Sequence, residues 1–103
     1  MDYQELEEKV NNIYKPLLEK FDYVLSLKSP LFQDNGTSQE IDNYIKQLNK
    51  AKEELIKISQ EISKTLREMF IDNNFDNYYK LVHLRSQIDV MIRNLEFFKY
   101  RLS

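Results

Sequence analysis

Ile41, Tyr44, Leu48, Ala51, Leu55, Ile58, Ile62, Thr65 and Met69 recur at alternating steps of three and four. A seven-residue repeat sustained in this way keeps one apolar seam on one side of a long helix. Thr37, with Glu40 three residues on, has the form of a capping box, so the spacing predicts a helix over 38–71. At about 1.5 Å per residue such a helix is a rod of roughly 50 Å. A lone rod has nothing to bury its seam against. Other parts of the chain, or a second molecule, must cover it.

The preceding segment, over 2–28, repeats the logic with Tyr3, Leu6, Val10, Ile13, Leu17, Lys20, Val24 and Leu27. Tyr14 and Phe21 lie beside that seam and widen it, as a bundle helix requires. Asp2, Glu5, Glu7 and Glu8 gather at the positive end of the helix dipole. Pro16 predicts a kink near 12–15 rather than a break, because the seam keeps phase across it. Lys20 interrupts the seam, and the expectation is an aliphatic stem along the surface with Phe21 taking the buried place. Ser29 to Ser38, with its Ser-Pro and Asp-Asn-Gly steps, reads as a connection.

A third segment, over 75–102, places Leu81, Leu84, Ile88, Met91, Leu95, Phe98 and Leu102 in the same alternation after the short linker Asp72-Asn73-Asn74. Short linkers force neighbouring helices to run antiparallel. With one Gly and two Pro the chain lacks the punctuation of an all-β fold. The expected fold is therefore all-α: one domain over 1–103, an antiparallel up-down-up three-helix bundle of long coiled-coil-like helices. Leu102 lies on the seam with no stop signal after it, as expected of a helix that continues in a longer protein or frays at a natural end.

The third segment is apolar on more than its seam. Tyr79, His83, Val90, Phe97 and Tyr100 form a second stripe on roughly the opposite side. No helix of a three-helix bundle is surrounded, so this stripe is expected at the surface, available to a protein partner or to a second copy in a homodimer. Leu31 and Phe32 in the first connection are further candidates for that contact.

Chemistry is harder to place. His83 is the one side chain that ionises near neutrality unperturbed. The residues three and four positions from it are Tyr79, Lys80, Ser86 and Gln87, so the Glu-x-x-His pattern of di-iron bundles is absent and no metal site is expected. His83-Leu84-Arg85-Ser86 resembles the His-Glu-Leu-Arg-Thr start of histidine-kinase dimerisation helices, without the acidic residue. Phosphotransfer bundles also carry a lysine and a glycine after the histidine, where Arg85-Ser86 stands here. No nucleophile–base motif is present, and Gly36 alone builds no phosphate loop. Glu5/Lys9, Asp42/Lys46 and Glu53/Lys57 have the spacing of surface ion pairs. A net charge of −2, with acidic residues among the basic ones, argues against nucleic acid. No apolar run approaches a bilayer span, and the N-terminus lacks a signal pattern. With no cysteine, a reducing, cytoplasmic location is the expectation. These features predict a non-catalytic, cofactor-free adaptor or regulatory domain, possessing no active site, that acts by binding protein.

Two families share the layout. The stretch Gln33-Asp34-Asn35-Gly36 followed by Glu40-Ile41-Asp42, with Phe75, Arg85 and Arg93 later, resembles the Habc N-terminal domains of syntaxin-type membrane-fusion proteins. That resemblance implies three long up-down-up helices that contact a fusion helix or tethering factors. The acidic-Pro-Phe start of its endosomal branch is missing. Leu6-Glu7-Glu8-Lys9-Val10 resembles the first helix of BAG-type chaperone cofactors, but their chaperone-contact motif has no counterpart between Lys80 and Arg93. Neither likeness assigns a family.

Overall fold

A computed structural model describes residues 2–29 and 35–103. Among the described residues there are three helices: α1 (Tyr3–Ser26), α2 (Asn35–Asp72) and α3 (Tyr78–Leu102). Asp2 caps α1, its carboxylate accepting from the backbone N–H of Gln4 at 2.9 Å and of Glu5 at 3.4 Å. At its other end, three-residue hydrogen bonds from Leu27, Lys28 and Ser29 tighten the exit. The helix runs unbroken through Pro16. Both Pro16 and Asn12, whose carbonyl loses its usual donor, are exposed, so water can satisfy that oxygen.

Side-chain pairs fix the directions. Asn94 donates to the Tyr14 hydroxyl at 2.9 Å, Phe21 stacks on Phe98 at 4.3 Å, and Lys28 reaches the carbonyls of Arg101 and Ser103. Rising numbers in α1 thus meet rising numbers in α3, and the two are parallel. Arg85 donates to Ser63, and Lys52 pairs with Glu96, so α2 runs opposite to α3. The result is an up-down-up antiparallel three-helix bundle, 59 × 18 × 15 Å. The 38 residues of α2 account for nearly all of that length, at about 1.5 Å each.

The three seams meet in one core. Val10, Tyr14, Leu17 and Val24 of α1 join Tyr44, Leu48, Ala51, Leu55, Ile58, Ile62 and Leu66 of α2 and Leu81, Leu84, Ile88, Leu95, Phe98 and Leu102 of α3. Lys20 is exposed and Phe21 packs against the core. No polar or charged residue is buried among the described residues. Tyr44 is the nearest to an exception. Its ring is sealed in the core and its hydroxyl donates to the Leu17 carbonyl at 2.5 Å.

Four sequence expectations need correction. Thr37 is not the cap of α2, because the helix already starts at Asn35; Glu40, which the capping box would turn inward, instead accepts a 3.4 Å hydrogen bond from the Tyr23 hydroxyl. Leu66, not Thr65, is buried near the end of α2: a straight helix of 3.6 residues per turn drifts from a strict heptad, and the seam moves over by one residue. The third helix begins at Tyr78 rather than 75, because Asn73 and Asn77 take left-handed backbone angles, φ 53° and 62°. The pairs Glu5/Lys9, Asp42/Lys46 and Glu53/Lys57 do not close. The ion pair that forms among the described residues is the interhelical Lys52–Glu96, since exposed pairs along one helix gain too little to hold two long side chains still.

Two substitutions probe this packing. Pro16→Ala restores a backbone hydrogen bond in mid-helix and should stabilise the fold by about 1–3 kcal/mol. Ile62→Ala empties a fully buried position and should cost about 2–5 kcal/mol. Urea unfolding followed by circular dichroism reads both.

Candidate interaction surface

On α3 the core residues all lie on one side, and the opposite side carries the second stripe. Tyr79 is 84% exposed, Val90 50%, Phe97 52% and Tyr100 77%, and His83 is exposed between them. Together with Ser86 and Arg93, these residues complete a row on α3 at alternating steps of three and four from 79 to 100. Arg101 lies over the Phe97 ring at 5.9 Å, within cation–π range. Leu31 and Phe32 lie outside the described residues.

His83 is exposed, and the residues three and four positions from it in the sequence are Tyr79, Lys80, Ser86 and Gln87. No group of His, Cys, Asp or Glu side chains suited to a metal occurs among the described residues.

A second exposed apolar region, off the predicted seams, sits where α2 turns into α3. Phe70 is 63% exposed, Ile71 81% and Phe75 45%. The rings of Phe70, Phe75 and Tyr78 meet edge to face at centroid separations of 5.2, 5.6 and 5.9 Å, and Tyr79 adds to them through Tyr78 at 5.4 Å. The turn is built on asparagine. Asn73 is the left-handed cap of α2, closed by the Asn74 N–H bonding back to the Met69 carbonyl at 3.1 Å. Asn77 starts α3 in a left-handed conformation with no side-chain cap. Beside the turn lies a cleft of about 250 Å³ lined by Thr65, Glu68, Met69, Asp72, Asn74, Asp76, Asn77 and Leu81. The sequence signal for this region was Phe70 and Ile71, two large apolar residues that fall beside the seam rather than on it.

Among the described residues three ionisable groups are perturbed, all by structural contacts. Burial, then the neighbouring Tyr14, pushes the Tyr44 phenol up to about 12. The Tyr3 hydroxyl donates to Glu7 at 2.6 Å, which raises the Tyr3 phenol, with burial adding to it. The hydrogen bond from Lys52 holds the Glu96 carboxyl below its usual range.

No family model matches the sequence, and no curated protein or solved structure matches it. The likeness to Habc and BAG-type domains rests on residue spacing alone. No helix among the described residues is long and apolar enough to cross a membrane.

The Tyr44 phenol gives a pH prediction. Its folded value lies above its ordinary 10, so the fold favours the neutral ring. That contribution is complete below pH 10 and drains away as pH rises from 10 to about 12. Thermal melts across this window should show a falling midpoint in the wild type. In Tyr44→Phe the fall should be shallower, from a starting stability lowered by about 1–2 kcal/mol.

Proposed function

We propose that this chain is a non-catalytic protein-interaction domain of the cytoplasm that lays the outer face of α3 against a helix of another protein or of a second copy. The observation behind this reading is the exposure of Tyr79, Val90, Phe97 and Tyr100 on the side of α3 turned away from a core already filled by its other face. A row at three-four steps is the shape a partner helix packs against. Aromatic residues and arginine are also what protein interfaces gather at their centres. Ser86 and Arg93 interrupt the row, so the contact is selective about where its partner is polar. An Habc-like regulatory role, in which the partner is a fusion helix, belongs to the same class.

Exposure of His83 leaves phosphotransfer as the second reading. Incubation with a small phosphodonor, followed by mass spectrometry, should leave His83 unmodified; stoichiometric phosphohistidine there would replace the binding account. The binding account itself is tested with Val90→Glu combined with Phe97→Glu. Light scattering and sedimentation of the wild type report self-association, and the double variant should abolish it, or abolish partner capture, with helical content unchanged. Collapse of the variant's fold would mean the stripe is core, and the reading fails.

A further inference from the structure

On its α1 side the outer face of α3 borders the groove between the two helices. Tyr14 and Phe21 of α1 meet Asn94 and Phe98 of α3, which fixes how the helices line up. Leu18, one turn beyond Tyr14, therefore stands level with Phe97, and both are half exposed. By the same alignment Asn11 is level with Val90, Lys15 with Asn94, and Asp22 with Arg101. The charges of this face are sorted by helix. On α1, Glu8, Glu19 and Asp22 outnumber Lys15; α3 brings Arg93, Arg101 and Lys80, the last held over the Tyr3 ring of α1 at 5.6 Å. Glu96, and Asp89 seven places before it, belong to the flank of α3 toward α2, where Glu96 pairs with Lys52. Area decides how much of this face a contact needs. A single helix about 10 Å wide and roughly 35 Å long offers about 350 Å², short of the about 800 Å² that each partner of a stable pair buries. The two-helix face, as broad as the 18 Å bundle, offers roughly 600 Å², the order a pair requires.

Given the reading of α3 as a contact surface, we propose that its occupant is a second copy of this chain, the two meeting through the α1–α3 face as parallel bundles about a two-fold axis along their length. That operation lays α1 of one copy on α3 of the other at the same height, so the acidic side meets the basic side. Leu18 covers the partner's Phe97 and Asp22 reaches the partner's Arg101, each contact made twice. Lys15 meets the partner's Asn94 and Val90 the partner's Asn11, so no like charges are opposed along these rows. A two-fold axis across the bundle at Val90 would instead stack α3 on α3 and set Arg101 against the partner's Lys80.

Sedimentation equilibrium of the full chain, with helical content as the control for folding, should show a dimer. A monomer at every concentration overturns the proposal, and if Val90→Glu with Phe97→Glu still abolishes partner capture, the reading of α3 survives it. Leu18→Glu should raise the dissociation constant about tenfold or more. Unchanged dimerisation in Leu18→Glu, with the α3 double variant disrupting it, would put the contact on α3 alone and end the two-helix account. Asp22→Arg and Arg101→Asp, both at exposed positions, should each weaken the dimer about tenfold, and an equimolar mixture of the two should pair at close to wild-type affinity, because each charge again meets its opposite across the interface. A mixture no tighter than either variant overturns the alignment. The chain has no cysteine, so Leu18→Cys and Phe97→Cys, mixed and oxidised, report orientation. The 18–97 link should predominate; predominance of 97–97 links would mean α3 on α3, against the proposal.

Discussion

The fold depends on hiding one continuous apolar strip of α2. From Tyr44 to Leu66 that strip is almost completely withdrawn from water, and at about 25 cal/mol per Å² of buried apolar surface its burial is the main force available to a chain with no disulfide. α2 runs most of the 59 Å length of the bundle, whereas α1 and α3 have 24 and 25 residues. Both shorter helices therefore use α2 as a common wall. The short turn at Asn73–Asn77 delivers α3 to it antiparallel, and α1 closes the remaining side.

That arrangement dictates what is left over. Each helix of a three-membered bundle faces two neighbours and the solvent. On α1 and α2 the solvent side is mostly charged and polar, with Leu18 and Tyr23 as exposed apolar exceptions on α1. On α3 it carries Tyr79, Val90, Phe97 and Tyr100, and at the α2–α3 turn it carries Phe70, Ile71 and Phe75. Scattered apolar residues on a surface are ordinary. The rings at the turn touch one another, and the α3 residues share one helical face interrupted by Ser86 and Arg93; the proposed contact rests on that shared face.

Much of the architecture was legible from periodicity. The α3 seam appears in the core almost residue for residue, whereas on α1 Val10, Leu17, Val24 and Leu27 are buried, Tyr3, Leu6 and Ile13 are partly covered and Tyr14 takes a core place beside the seam; the stripe on α3 is exposed as its phase implied. Legibility failed where the backbone, not the hydrophobic pattern, decides. Thr37-x-x-Glu40 has a capping sequence, but helix hydrogen bonding runs past it to Asn35. Thr65 lies on the heptad and Leu66 in the core, because repeat and helical pitch part company over a long helix. The aromatic cluster at the turn was missed because Phe70, Phe75 and Tyr78 belong to three different segments of chain. Only the left-handed asparagines bring those rings together.

The hydrogen bond from Asn94 to the Tyr14 hydroxyl has a consequence for register. Greasy seams of similar residues can slide along one another by a whole heptad and still match oil with oil. A side-chain pair between helices opposes that slip, since α1 displaced by seven places would set Glu7 or Phe21 against Asn94 and strip the phenol of its partner, a penalty of about 1–3 kcal/mol. The Tyr44 hydroxyl adds cohesion without choosing the alignment, because its acceptor is a backbone carbonyl and every residue of α1 carries one. One polar pin between the first and third rods thus selects among alignments that apolar matching alone would permit.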